Sequence, residues 1–191
     1  MRVIGGSWRG RRLDAPPGGA VRPTSDRARE AVFNILEHGA HTGGEGSPIP
    51  DARVLDAFAG SGALGIEALS RGAAHATFLD SDATAIRTIQ RNLTALKGLA
   101  NASVRRADCL APPRAPAPCD LVFLDPPYGE GLAAPALLAL ARAGWIAEGA
   151  FCVVELGRDD AFDAPDGFDL LDDRRYGRAR MVILQRADKS P

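Results

Sequence analysis

No apolar run in the chain approaches the roughly 18 residues that a membrane-spanning helix needs. The first residues, Met1-Arg2-Val3-Ile4-Gly5-Gly6, contain no apolar stretch of the kind that opens a secretory signal. These two absences set the expectation of a cytoplasmic protein with no membrane partner. Cysteine is scarce as well. Cys109, Cys119 and Cys152 are odd in number and show no C-x-x-C spacing, which argues against both a disulfide framework and a zinc site. His38 and His41 have no third ligand nearby in the sequence, so no metal is expected. There is no internal repeat. With 191 residues, one ordinary domain with a small appendage is expected, and a monomer. Net charge is nearly absent too, at −1, but that value hides an asymmetry. Residues 1–30 hold seven arginines against Asp14, Asp26 and Glu30, so the rest of the chain is net acidic. A basic arm on an acidic body suits a polyanion, although charge alone leaves a merely solvated tail open.

What is present begins with that arm. Arg2, Gly5-Gly6, Trp8-Arg9-Gly10-Arg11-Arg12 and Arg22-Pro23 alternate cations with glycine and one aromatic ring. Glycine lets backbone approach a phosphate closely, and arginine forks its oxygens. A hairpin or extended arm is expected here. A helix follows over about 25–38, with Thr24, Ser25 or Asp26 as N-cap and Ala28, Val32, Ile35 and Leu36 forming one apolar stripe. Arg27, Arg29 and Glu30 lie off that stripe. Residues 39–50 are rich in Gly and Pro without a period and read as a flexible linker. The expected organisation is therefore an extension over 1–38, a linker over 39–50 and a catalytic domain over 51–187.

From residue 52 strand and helix patterns alternate. Strands are expected at 53–58, 76–80, 103–106, 120–124 and 150–156. Helices are expected at 60–71, after the cap Asp82, and at 132–143, and a closing hairpin joins 168–171 to 179–185. Repeated β–α units predict an α/β, doubly wound, mostly parallel sheet.

Two constellations lie at strand ends. The first, Asp56-Ala57-Phe58-Ala59-Gly60-Ser61-Gly62-Ala63-Leu64-Gly65, contains G-x-G-x-x-G, and Asp80 stands 20 positions after Gly60. By spacing this is a dinucleotide fingerprint, so a nicotinamide-dependent oxidoreductase is a live reading. Against it, a carboxylate at Asp56 would repel a pyrophosphate at the helix N-terminus. The same carboxylate would welcome a cation, such as the amino group or sulfonium of S-adenosylmethionine. Asp108, ending the third strand, could accept from an adenine amino group. The second constellation is Asp125-Pro126-Pro127-Tyr128 after the apolar run Leu121-Val122-Phe123-Leu124. Pro127 biases Pro126 toward an extended conformation, and neither proline has an N–H. The corner offers acceptors, the Asp125 carboxylate and the Pro126 carbonyl, beside the flat face of Tyr128. That set suits a planar group bearing –NH2, although a plain turn carries the same residues.

These two motifs resemble those of class I S-adenosylmethionine-dependent amino methyltransferases. The blocks Gly5-Gly6-Ser7-Trp8-Arg9-Gly10-Arg11, Arg22-Pro23-Thr24-Ser25-Asp26-Arg27-Ala28-Arg29-Glu30 and Phe33-Asn34 narrow the likeness to the RsmD family, over nearly the whole chain. The resemblance implies a seven-stranded Rossmann-like methyltransferase sheet with an antiparallel C-terminal hairpin and a short N-terminal extension. It implies S-adenosylmethionine as cofactor and methylation of the exocyclic N2 of a guanine in 16S rRNA. The partner would be that RNA or a small-subunit assembly intermediate. Carried onto this sequence, the catalytic residues are Asp125, Pro126 and Tyr128, and the cofactor residues Asp56, Phe58, Gly60, Gly62, Asp80 and Asp108. RNA-binding residues are Arg2, Trp8, Arg9, Arg11, Arg22, Arg27 and Arg29. The family often has Glu where this chain has Asp80, a reach shorter by one methylene. A DNA adenine or cytosine amino methyltransferase shares D-P-P-Y, but about 50 residues ahead of the fold are few for a target-reading region.

Overall fold

The computed structural model describes residues 1–16, 26–38 and 46–188. Arg22, the proposed caps Thr24 and Ser25, and most of the 39–50 linker lie outside the described residues.

Strands β1 (Arg53–Ala57), β2 (His75–Asp80), β3 (Ala102–Arg106), β4 (Cys119–Leu124), β5 (Ile146–Gly157), β6 (Phe168–Tyr176) and β7 (Ala179–Arg186) form one sheet in the order β3-β2-β1-β4-β5-β7-β6. Pairings from β3 through β5 are parallel, whereas β7 is antiparallel to both β5 and β6. Helices α1 (Asp26–His38), α2 (Ala63–Ser70), α3 (Ala83–Leu96) and α4 (Ala133–Arg142) cover the faces. This is the mostly parallel, Rossmann-like sheet with a C-terminal hairpin that the sequence predicts.

The central strands are mostly apolar because both faces are covered, with Asp56 on β1 and Glu155 on β5 as buried acidic exceptions. Side chains of period two divide between two cores. Val54 and Phe123 pack on one face with Ile66, Phe78 and Ile89. Leu55 and Val122 pack on the other with Leu79, Leu137 and Trp145. Asp82 caps α3 by accepting the Thr84 N–H at 2.7 Å. The buried face of α3 is Ala85, Thr88, Ile89, Asn92, Leu93 and Leu96, while Ile86 is only half-buried. β5 starts earlier than expected and β6 runs further, to Tyr176, through the charged Asp172-Asp173-Arg174-Arg175. β6 is an edge strand, where side chains face solvent and the apolar alternation is lost.

The N-terminal extension shares the first core. Val3, Leu13, Val32, Phe33 and Leu36 belong to the same buried cluster as Ile66 and Phe78. The Phe33 ring stands 5.5 Å from that of Phe123 on β4. Residues 1–13 form a small hairpin closed by an Arg2–Arg12 bridge, with a 3-10 turn at Gly6–Trp8. It is fastened to α2 by Glu67, whose carboxylate accepts the N–H groups of Ile4 at 2.8 Å and Gly5 at 2.7 Å. Glu67 is itself buried, so these bonds offset the cost of taking its charge out of water.

Candidate active site at the carboxyl ends of the strands

The chain reverses its direction of winding between β1 and β4, and ligands in open α/β sheets bind at such a switch point, outside the strand carboxyl ends. Ala57 and Leu124 are in register there, and the Asp125 N–H donates to the Ala57 carbonyl at 3.3 Å. The acceptor corner is thereby tied to the start of the glycine turn. A narrow recess opens at this junction, lined by Asp56, Phe58, Gly60, Ser61 and Asp125, with Met1 and Pro16 forming a wall from the N-terminal extension. Of the sequence-predicted residues, the recess brings together Asp56, Phe58, Gly60 and Asp125. Gly62, Asp80, Asp108 and Tyr128 do not line it. Pro126 lines a second cavity with Pro127, Leu132, Asp160 and Phe162, so the corner stands between two spaces.

The turn itself is held by three side-chain and backbone bonds. The Gly60 N–H donates to Asp80 Oδ2 at 2.8 Å, the Gly62 N–H to the Ala59 carbonyl at 2.6 Å, and the Gly65 N–H to Asp56 Oδ2 at 2.8 Å. The N–H groups of Gly60, Gly62 and Gly65 are therefore engaged within the turn itself. Asp56 is fully buried, and burial pushes its carboxyl up to about 8, against the Gly65 N–H and aided by repulsion from Asp80. A buried acid held this far up is short of a cation, which fits the ammonium or sulfonium of S-adenosylmethionine. Phe58 has φ of 57°, a left-handed conformation rare for a bulky residue and found where a site demands it. At Gly60 an added Cβ would meet only the Phe58 carbonyl at 4.0 Å, so the backbone faces open space. The residues present thus fit the cofactor that the sequence implies.

Asp80 serves the turn in two directions, accepting the Asp82 N–H with Oδ1 at 2.8 Å as well as Gly60. Asp108 accepts the Leu110 N–H at 2.8 Å and is exposed at the adjoining strand end. Tyr128 is 45% exposed, with its hydroxyl hydrogen donated to the buried Glu155. Burial and the Glu155 carboxylate both hold its phenol well above the usual value, so it stays protonated.

Among the arginines, Arg2, Arg9, Arg11 and Arg27 are exposed. Arg29 is a correction to the sequence reading: its side chain is fully buried and cannot reach an RNA phosphate. It donates to the Arg2 carbonyl at 2.6 Å, to Asp26 Oδ1 at 2.8 Å and to Met1 Sδ at 3.6 Å. Burial lowers its pKa, opposed by Asp26, Glu67 and Glu155. Trp8 is half-buried, and its ring tip lies against Gly98, where an added Cβ would stand 2.8 Å away. It is an anchor of the hairpin on the end of α3.

Sequence reasoning missed Glu67, Glu155 and Asp160. Asp160 Oδ2 accepts the Gly129 N–H at 3.1 Å and the Gly157 N–H at 2.8 Å, pinning the loop after Tyr128 to the end of β5. The available signal was an acid inside an apolar element: Glu67 in Ala63-Leu64-Gly65-Ile66-Glu67-Ala68-Leu69, and Glu155 in Val153-Val154-Glu155-Leu156. Unpaired carboxylates are rarely buried, so each of these predicts a partner.

Comparison with known proteins agrees with this architecture. The family model described as "Conserved hypothetical protein 95" matches residues 1–185. Ribosomal RNA small subunit methyltransferase D of Escherichia coli K12 is 42% identical over 156 residues, covering 81% of this chain and 74% of that protein. The protein of the same name from Haemophilus influenzae is 37% identical, covering 97% of this chain and 93% of its own length. The solved structure of yhhF from Escherichia coli superposes with a TM-score of 0.80 at 39% identity, over 98% of both chains. The chain belongs to this family, the RsmD family of ribosomal RNA methyltransferases.

Proposed function

We propose that this protein transfers a methyl group from S-adenosylmethionine to the exocyclic N2 of a guanine in the 16S rRNA of the small ribosomal subunit. The observation that carries the reading is the Asp125 N–H bond to the Ala57 carbonyl, which sets an amine-accepting corner beside a recess with a buried, cation-seeking acid. The names of the relatives supply the rRNA; guanine N2 rests on the family likeness.

S-adenosylmethionine, when bound, supplies an electrophilic methyl group. Asp56, Phe58 and Gly60 would hold it in the recess, with Asp80 and Asp108 at the neighbouring strand ends. The guanine amine is a poor nucleophile because its lone pair is delocalised into the ring. The Asp125 carboxylate and the Pro126 carbonyl accept its two N–H hydrogens and draw the lone pair back onto nitrogen, stabilising charge where it develops. Asp125 takes the proton that the amine gives up. Tyr128 presents its exposed face to the base, which an enzyme working on a base amino group reaches in single-stranded or flipped form. Preorganisation of this kind can supply ~7–11 kcal/mol of a barrier. Arg2, Arg9, Arg11 and Arg27 would hold phosphates.

The test incubates the protein with methyl-labelled S-adenosylmethionine and undermethylated small-subunit particles, naked 16S RNA, or DNA. Label in guanine N2 of the RNA is expected. Label in DNA alone, or in no nucleic acid, would sink the reading. Asp125→Ala should abolish transfer and leave cofactor binding largely intact; undiminished transfer would remove Asp125 from its role.

A further inference from the structure

We propose that the solvent face of α3 is a phosphate-binding strip that carries an RNA strand to the catalytic corner, with Arg87, Arg91 and Arg11 as its three cationic rungs. The proposal rests on the reading of the protein as an RNA methyltransferase.

Arg87 and Arg91 are one helical turn apart and exposed on the same face of α3. The next position of that row is Ala95, whose carbonyl accepts from Arg11 Nη2 at 2.9 Å. The hairpin thus parks a third guanidinium where the helix itself has none. Successive rungs rise by about 6 Å along the axis, the scale on which phosphates repeat along a nucleotide strand.

The face between them is an open groove lined by Thr84, Arg87, Thr88, Gln90, Arg91 and Thr94. Threonine hydroxyls prop two of the rungs: Thr84 Oγ1 accepts from Arg87 Nη2 at 3.0 Å, and Thr88 Oγ1 from Arg91 Nη2 at 3.3 Å. Each guanidinium has five N–H donors, so these props leave donors to spare for an anion. Two acids border the strip: Asp14, 3.9 Å from Arg91 Nε, with the two side chains 67% and 61% exposed, and Asp82 at the helix N-terminus, which accepts the Thr84 N–H at 2.7 Å. So exposed a pair as Asp14 and Arg91 is weak and readily exchanged for a phosphate.

The strip also leads to the site. Asn92, on the buried side of the same helix, donates to the Asp14 carbonyl and to the Ser61 carbonyl, each at 3.0 Å. Ser61 belongs to the glycine turn of the recess, so the helix is fixed against the turn that the cofactor would occupy. A strand lying on Arg11, Arg91 and Arg87 runs toward the N-terminus of α3, at the carboxyl edge of the sheet. Sequence reading assigned Arg11 to RNA but not the two helix arginines, whose spacing gains meaning only once the hairpin is seen against Ala95.

The experiment measures binding of a fluorescently labelled 16S RNA hairpin across a salt titration, with cofactor binding and methyl transfer followed in parallel. The wild type is compared with the Arg87→Gln/Arg91→Gln double variant and with Asp14→Asn. All three side chains are exposed, and cofactor affinity reports that each variant is folded. Removing two phosphate contacts should weaken RNA binding about tenfold or more and flatten the dependence of log K on log salt by about 1.4. Asp14→Asn should tighten binding, because a competing anion is gone. Wild-type affinity and slope in the double variant, with methyl transfer intact, would overturn the strip alone. A wild-type protein that neither binds nor methylates RNA would overturn the methyl-transfer reading and the strip with it.

Discussion

The hydroxyl of Tyr128 donates its hydrogen to the carboxylate of Glu155, a residue buried on β5 two strands from the glycine turn. The aromatic ring of the corner is therefore aimed by a carboxylate that never meets solvent. Asp160 reinforces it by binding the Gly129 N–H from the other side of the loop. The ring is held at both its hydroxyl and its chain, which is what a stacking platform requires.

The Tyr128–Glu155 bond gives a first prediction. A hydrogen bond to a charged group contributes ~1.5–3 kcal/mol, and if it serves to orient the ring its loss should appear in kcat. Tyr128→Phe keeps the ring, so about a tenfold fall in kcat with unchanged cofactor affinity is expected. Glu155→Gln keeps a neutral acceptor for the hydroxyl, so it should fall by a smaller factor. The double variant should be no worse than Tyr128→Phe alone, because both changes act on one bond, which Phe removes and Gln only weakens. Steady-state kinetics of the four proteins provide the check, and multiplicative losses would show that the two side chains act separately.

Asp56 gives a pH dependence. Its carboxyl is raised to about 8 by burial, so near neutrality it is mostly protonated before a cation arrives. A cationic ligand binds the ionised form better, so binding must expel a proton below that pKa. The sign follows: affinity for S-adenosylmethionine rises as pH goes from 6 toward 8, by up to about tenfold per unit. Asp56→Asn should bind more weakly and lose the slope. Calorimetry at several pH values would read both; an unchanged slope in the variant would move the titration to another group.

Much of this architecture was legible from the amino acids because the central strands are unambiguous. Leu121-Val122-Phe123-Leu124 is apolar at every position since helices cover both faces of β4. Gly60-Ser61-Gly62 and Asp125-Pro126 announced their turn chemistry directly. Two things were not legible. β6 lies at the sheet edge and carries two acids followed by two bases, with no apolar alternation, so nothing in Asp172-Asp173-Arg174-Arg175 marks a strand. Arg29 sits off the apolar stripe of α1, where a periodicity argument sends it to solvent. Its burial depends on Asp26 three residues back and on the Arg2 carbonyl, and the latter is a tertiary contact that helical spacing cannot contain.

Arg29 accordingly predicts a stability defect rather than an RNA-binding one. Its guanidinium supplies bonds to the hairpin and to Asp26, and its Nε has no partner among the described residues. Removing Arg29 takes a fully buried side chain out of the core and leaves the Arg2 carbonyl without its donor, while Asp26, nearly half exposed, is resolvated by water, a loss of ~1–3 kcal/mol. Arg29→Ala should lower the urea midpoint by that measure and loosen the Met1 wall of the recess, weakening cofactor binding. Arg9→Ala, at an exposed position, should leave the midpoint unchanged and lower RNA affinity alone. A normal midpoint for Arg29→Ala would mean that the hairpin is held by Glu67 without it.

The glycines of the turn separate packing from binding in a last prediction. At Gly65 an added Cβ would stand 2.5 Å from the Phe78 ring and 3.1 Å from Asp56 Cβ, in a core with no room to give. Overpacking of this kind costs ~1–3 kcal/mol, so Gly65→Ala should lower Tm whether or not cofactor is present. At Gly60 the space beside the backbone is open, and only the positive φ of 55° resists a side chain. That conformation costs an L-residue ~1–2 kcal/mol, but the new methyl would also occupy volume at the mouth of the recess. Gly60→Ala should therefore lose cofactor affinity by more than its loss of stability accounts for, whereas Gly65→Ala should lose stability first. Thermal melts with and without S-adenosylmethionine would separate them: the ligand-induced rise in Tm should shrink for Gly60→Ala and persist for Gly65→Ala. Equal shrinkage in both would mean that the turn responds as one rigid unit, and that Gly60 has no separate part in holding the cofactor.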